Sequence, residues 1–169
     1  MKSDLENKVV LVTGGAGGIG SVISKSFSEQ GAKVIVHYNS SKSKAEEIAK
    51  EIGGVAINAD LTDTKQAKEL FDGIISKEGK IDVCVANAGN YPKGVAPLWE
   101  IESERWDNTI STNLSLTYNT SRYFLKHASE TKKGSLVLIG STAGIYGEAG
   151  HADYAAAKGA ITSGLLRTL

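Results

Sequence analysis

The sequence predicts an α/β fold, a doubly wound parallel sheet in a three-layer α/β/α arrangement. Three observations predict it. Short β-branched apolar runs alternate along the chain with amphipathic helical patterns. The runs are apolar on both faces, as strands covered by helices on each side must be. The first run leads directly into "TGGAGGIG" (13–20), with five glycines in eight positions. Glycine weakens a helix or strand by roughly 0.5–1 kcal/mol relative to alanine, so that loading needs a reason.

The elements follow in order. "KVVLVT" (8–13) is the first strand. A helix over 19–30 buries Ile19, Val22, Ile23 and Phe27, at spacings of three and four, and Gly31 ends it. "AKVIVH" (32–37) is the second strand, followed by a helix whose inner face is Ala45, Ile48, Ala49 and Ile52. "VAIN" (55–58) is the third. Asp63 with Gln66 marks a helix start, and Ala67, Leu70, Phe71, Ile74 and Ile75 form its buried stripe before Gly79. "IDVCVA" (81–86) is strand four. A loop through Pro92 and Pro97 precedes a helix from about Ser103 to His127, and "SLVLIG" (135–140) is strand five. A last helix opens near Ala152. No repeat or linker divides the chain, so 1–169 reads as a single domain.

Composition narrows the function classes. Nineteen basic residues balance nineteen acidic ones, and no long run of one sign occurs. A nucleic-acid surface and a polybasic membrane anchor are therefore not expected. Apolar stretches are far short of a membrane span, and "MKSDLENK" lacks a signal-peptide core, so a cytoplasmic protein is expected. Cys84, the single cysteine, lies in an apolar run; it suits a small core residue, and neither a disulfide nor a metal site is expected.

Two phosphate-binding registers fit the glycine turn: Gly15-x-Gly17-x-x-Gly20, and Thr13-Gly14-x-x-x-Gly18-Ile19-Gly20. Both bring backbone amides and a helix N-terminus to a pyrophosphate. A nucleotide P-loop needs Lys and then Ser or Thr after its last glycine; here Ser21 and Val22 follow Gly20. By itself the turn serves a methyltransferase or a nicotinamide enzyme equally. The later motifs separate them. "NAG" (87–89) ends strand four, "STAG" follows strand five, and "YAAAK" sets Tyr154 and Lys158 on one helical face. Tyrosine ordinarily titrates near about 10, and a neighbouring cation favours the phenolate that proton transfer needs.

In this order, with "NAD" (58–60), Asn113 and Ser141, these motifs resemble the short-chain dehydrogenase/reductase family over nearly the whole chain. The resemblance implies a Rossmann fold, the longer glycine register, and cofactor contacts at Thr13, Gly14, Gly18, Ile19, Gly20, Asp60, Leu61, Asn87, Ala88 and Gly89. It implies that Tyr154 is the acid/base, that Lys158 acts on Tyr154 and on the nicotinamide ribose, that Ser141 holds the substrate oxygen, and that Asn113 relays protons through water. Each has a plainer alternative: an exposed Tyr–Lys pair, a turn serine, a solvent-facing asparagine, a helix-capping Asp60. His151 reads equally as a substrate contact and as a surface loop residue.

An acidic residue ending strand two would bind the ribose diol of NAD and repel a 2′-phosphate. "VIVHYNSSKSK" has none. Asn39, Ser40 and Lys42 offer donors and charge instead, with His37 beside them, so NADP(H) is favoured over NAD(H). A basic residue just before Gly18, frequent in NADP-preferring relatives, is here Gly17.

Only five strands are expected, against six in the dinucleotide-binding architecture, and "SLVLIG" is too apolar for an edge. A C-terminally incomplete domain is therefore expected, with its substrate lid and last strands missing. The function expected is a carbonyl reductase or alcohol dehydrogenase using NADP(H) on a small-molecule substrate, most like the 3-oxoacyl-carrier-protein reductase branch. Sugar or polyol dehydrogenases and a non-catalytic nucleotide-binding module are the alternatives. A methyltransferase has no use for Tyr154 with Lys158. The resemblance also implies a homodimer or homotetramer.

Overall fold

A computed structural model describes residues 4–169; the first three positions of the N-terminal stretch "MKSDLENK" lie outside the described residues. The elements are β1 (Val9–Val12), α1 (Gly18–Glu29), β2 (Lys33–Tyr38), α2 (Lys42–Glu51), β3 (Val55–Asn58), α3 (Thr64–Glu78), β4 (Val83–Ala86), α4 (Ser103–Ile110), α5 (Leu116–Thr131), β5 (Ser135–Leu138), α6 (Ala143–Tyr146), α7 (Ala152–Gly159) and α8 (Leu166–Thr168). The five strands form one parallel sheet in the order β3-β2-β1-β4-β5. The chain winds outward from β1 to β3, then crosses back to place β4 on the other side of β1. That reversal opens a crevice at the carboxyl ends of β1 and β4, where doubly wound sheets bind ligands.

Alternate residues of β1 feed two cores. Val9 and Leu11 pack on one face with Phe71, Ile74, Cys84 and Phe124. Val10 and Val12 pack on the other with Val34, Val36, Ala45, Ile48 and Val85. The centre of the sheet is thus buried from both sides, as predicted, while β5 has the burial of an exposed edge; burial pushes the Cys84 thiol far above its ordinary titration range. Helix α3 starts as its sequence requires: the Asp63 carboxylate accepts from the N–H groups of Lys65 (2.7 Å) and Gln66 (3.0 Å), and Gly79 ends it at φ 77°.

Several elements differ from expectation. Ile19 and Val22 are each 64% exposed, and α1 instead turns Gly20 and Ser24 to the sheet, with Ile23 and Phe27 partly buried. The glycine turn forces this, because Gly20 must pass against the Gly14 carbonyl. The helix expected over 103–127 is interrupted by a π-helical segment, Ser111–Ser115, that carries Asn113. A second π segment, Ala160–Leu165, follows α7. Strand β4 starts two residues late because Ile81 leaves the ladder to donate its N–H to His127 Nε2 at 3.2 Å. The short α6 was not expected at all. Strand β5 is one edge of the sheet, opposite β3, with Val137 42% exposed. Among the described residues, no helix is long and apolar enough to cross a membrane.

Candidate active site

The glycine turn is built by contacts that exclude side chains. Gly14 sits at φ +61°, where an added Cβ would come within 3.0 Å of the Ala88 backbone. A Cβ on Gly20 would collide with the Gly14 carbonyl and lie 2.8 Å from Asn87 Nδ2. Asn87 fastens the turn to the end of β4, donating from Nδ2 to the carbonyls of Thr13 (2.9 Å) and Gly14 (3.2 Å). Thr13 Oγ1 accepts from the N–H groups of Asn87 and Ala88, both at 3.0 Å, and donates to the Val85 carbonyl. Thr13 is therefore a buried brace rather than a lining residue.

Gly18 is different: nothing lies within 4 Å of where its Cβ would be. No neighbour in the fold excludes a side chain there, and the space belongs to a cavity of about 670 Å³. Gly14, Gly18, Ile19, Gly20, Asn39, Ser40, Asp60, Leu61, Asn87, Ala88 and Gly89 all line it, joined by Tyr38, Ser41, Thr62 and Thr112, which the sequence did not single out. No side chain caps α1, so its first-turn amides present unpaired donors and the positive end of the helix to this cavity. A dinucleotide phosphate fits that arrangement.

Two members of the expected phosphate site are placed otherwise. Lys42 opens α2 and reaches Glu46 at 3.8 Å, and it does not line the cavity. His37 lines the cavity, yet Nδ1 accepts from the Gly14 N–H (3.1 Å) and Nε2 faces the Ala59 carbonyl (3.0 Å). Both ring nitrogens are committed inside the fold. Asp60 Oδ1 closes a local turn by accepting from the Thr62 N–H and hydroxyl; the helix cap belongs to Asp63.

The catalytic candidates lie beyond Gly89. Lys158 is 4% exposed, and its Nζ donates to the Ile139 carbonyl at 3.0 Å. Among the described residues no carboxylate pairs with it, and burial lowers its pKa. Among the described residues two of its three N–H donors are left over, and a Cβ built on Gly89 would stand 3.6 Å from Nζ. The same Nζ stands 5.8 Å from the centroid of the Tyr154 ring. Tyr154 is half-buried, so the exposed-pair alternative fails. Asn113 is fully buried, not solvent-facing: Nδ2 donates to the carbonyls of Asn90 (2.8 Å) and Thr109 (3.0 Å), and Oδ1 accepts from the Asn90 N–H (3.3 Å). Ser141 follows β5, and its Oγ accepts from the Ala143 N–H. Gly144 then brings α6 against the backbone of Lys158 and Gly159, where a Cβ would lie 2.5 Å from each. Ser141 and Lys158 thereby belong to packed neighbours.

One unexpected wall stands beside Tyr154. The Tyr91 ring packs edge-on against it at 5.0 Å and stacks on His151 at 4.6 Å. Tyr91 donates to Glu148 Oε1 at 2.6 Å, which pushes its phenol up to about 12. His151 is 5% exposed, so it is no surface residue. Tyr91 immediately follows "NAGN" in sequence, but nothing local marks its ring as a neighbour of position 154.

A doubly wound parallel sheet, an uncapped glycine turn at its switch point and a half-buried tyrosine beside a buried lysine define a Rossmann-like α/β architecture. The short chain dehydrogenase family matches residues 8–169, and the chain belongs to it. It is 35% identical over 162 residues to 3-oxoacyl-(acyl-carrier-protein) reductase FabG of Thermotoga maritima, covering 93% of this chain and 65% of that protein. The reductase of the same name from Staphylococcus epidermidis is 34% identical over 167 residues, 96% of this chain and 67% of that one. The Escherichia coli one is 32% identical over 157 residues, 92% and 63% respectively. The chain thus spans about two thirds of the length of these relatives.

Proposed function

We propose that the chain supplies the cofactor site and proton-transfer groups of an NADP(H)-dependent oxidoreductase that interconverts a carbonyl and a secondary alcohol. A 3-oxoacyl thioester carried on a protein is the substrate class that the names of its relatives support. The observation that carries the reading is Lys158: an ammonium with no counter-charge, spare donors, and Tyr154 at its side. An unpaired buried charge is costly to keep, and a fold without use for it would gain by losing it.

When bound, the nicotinamide supplies or accepts the hydride. The first-turn amides of α1, at Gly18, Ile19 and Gly20, would hold its pyrophosphate. Asn39, Ser40 and Ser41 offer hydrogen-bond donors to a 2′-phosphate, and no carboxylate among the lining residues of β2 and its end repels it. Of the other lining residues, Asp60 and Leu61 would hold the adenine, and Asn87, Ala88 and Gly89 would wall the nicotinamide. Lys158 directs its spare N–H groups to the ribose hydroxyls. In reduction, the Tyr154 hydroxyl proton passes to the carbonyl oxygen, leaving a phenolate that the Lys158 ammonium faces. In oxidation the same oxygen takes the alcohol proton. Ser141 orients the substrate oxygen, and Asn113 holds the Asn90 backbone beside the Gly89 wall. A cytoplasmic homodimer or homotetramer, associated through the helices that bear Asn113 and Lys158, belongs to the same reading.

Fluorescence titration of the chain with NADPH and NADH tests it. Saturable binding with NADPH at least about tenfold tighter, roughly 1.4 kcal/mol, is the expected result. Tighter NADH overturns the cofactor preference, and no saturable binding of either overturns the dinucleotide site.

A further inference from the structure

Asp153 immediately precedes Tyr154, and it is 0% exposed. Its carboxylate is gripped by Arg105 of α4: Nε to Oδ2 at 3.0 Å and Nη2 to Oδ1 at 3.3 Å. Thr109, one turn further along α4, donates its hydroxyl to Oδ2 at 2.9 Å. Arg105 Nη2 also reaches the Gly150 carbonyl at 3.3 Å, in the loop that enters α7. Burial alone would raise the Asp153 pKa, yet the bonds from Arg105, Thr109 and the Tyr154 backbone amide outweigh it and hold the carboxyl below its usual range.

These contacts join two candidate catalytic residues. Asn113 Nδ2 donates to the Thr109 carbonyl, and the Thr109 hydroxyl donates to Asp153, next to Tyr154. A continuous set of hydrogen bonds thus runs from the π segment to the first turn of α7. A buried ion pair is a poor device for stability alone, because well-packed apolar residues serve as well or better. It is a good device for fixing geometry, since a planar guanidinium on a carboxylate accepts one orientation.

We propose that Arg105, Asp153 and Thr109 are positioning residues that set Tyr154 relative to Asn113 and Lys158. This rests on the proposed function, in which Tyr154 transfers the proton. None of the three touches the reacting atoms.

The test is NADPH oxidation by the chain with acetoacetyl-coenzyme A as probe, alongside NADPH affinity and thermal unfolding, for Asp153→Asn, Thr109→Val and Tyr154→Phe. Misplacement by about 1 Å costs on the order of 100-fold in rate. Asp153→Asn is therefore expected to lower kcat by about 10- to 100-fold, with KM and NADPH affinity within about threefold of the unaltered chain. Thr109→Val leaves the ion pair paired and is expected to lower kcat by several-fold; it decides the matter if Asp153→Asn does not fold. A purely structural staple would lower the unfolding temperature without touching kcat of the folded fraction. Unchanged kcat in folded Asp153→Asn or, failing that, in Thr109→Val, with Tyr154→Phe inactive, overturns the positioning role and leaves the proposed function standing. Full turnover in Tyr154→Phe overturns the proposed function and this inference with it.

Discussion

Gly14 donates its backbone N–H to His37 Nδ1 at 3.1 Å, while the other ring nitrogen of His37 faces the Ala59 carbonyl at 3.0 Å. An amide only donates and a carbonyl only accepts, so the ring is neutral with its proton on Nε2. One buried imidazole therefore ties the glycine turn to the ends of β2 and β3. Protonation would put a second N–H against the Gly14 amide, and burial lowers the His37 pKa from 6.5 to about 4.

The sign of the pH effect follows. Above pH 6.5 both the folded and unfolded states hold the ring neutral, and the fold has its full stability. As pH falls from 6.5 to about 4, the unfolded chain takes up a proton that the folded one refuses, and stability is lost. The loss amounts to about 3 kcal/mol at the bottom of that window. Urea denaturation at successive pH values measures it, and His37→Asn is expected to flatten the slope. An unchanged slope in that variant shows the ring is not the source.

Gly18 and Gly20 separate folding from binding. Gly20→Ala pushes a methyl group into the Gly14 carbonyl and is expected to destabilise by about 1–3 kcal/mol. Gly18→Ala meets no atom of the chain, so its unfolding temperature should stay within a few degrees. Its NADPH affinity should nevertheless fall at least about tenfold, because the methyl group occupies the cavity where the proposed function seats the pyrophosphate. Unaltered affinity in Gly18→Ala removes the pyrophosphate from that position.

Lys158→Met removes a buried ammonium that has one hydrogen bond and no counter-ion. Its unfolding temperature is expected to hold or rise by up to roughly 4 °C, about 1 kcal/mol for a chain of this size. Turnover should vanish and NADPH affinity weaken. A large fall in thermal stability would show that the lysine serves the fold rather than the chemistry.

Most of the architecture was legible because strands buried on both faces and capped helices write their own signals: Val9–Val12, Asp63 and Gly79 are local statements. The π segment around Asn113 was not, since a single inserted residue leaves the apolar spacing on either side intact. The inward face of α1 was misjudged because Ile19 and Val22 satisfy helical periodicity, while contact between Gly20 and the Gly14 carbonyl sets the rotation. In the site, the motif residues were readable and their supports were not. His37, Tyr91 and the Arg105–Asp153 pair act across 22 to 63 positions of chain, with no periodicity to announce them.

Tyr154 carries the central claim, and Tyr154→Phe tests it most directly, since it removes one oxygen and leaves the ring between Tyr91 and Lys158. NADPH-dependent turnover of a 3-oxoacyl thioester should fall by at least about 100-fold, the scale of a lost acid–base group. NADPH affinity should stay within about threefold. Turnover that persists at the level of the unaltered chain would contradict the account.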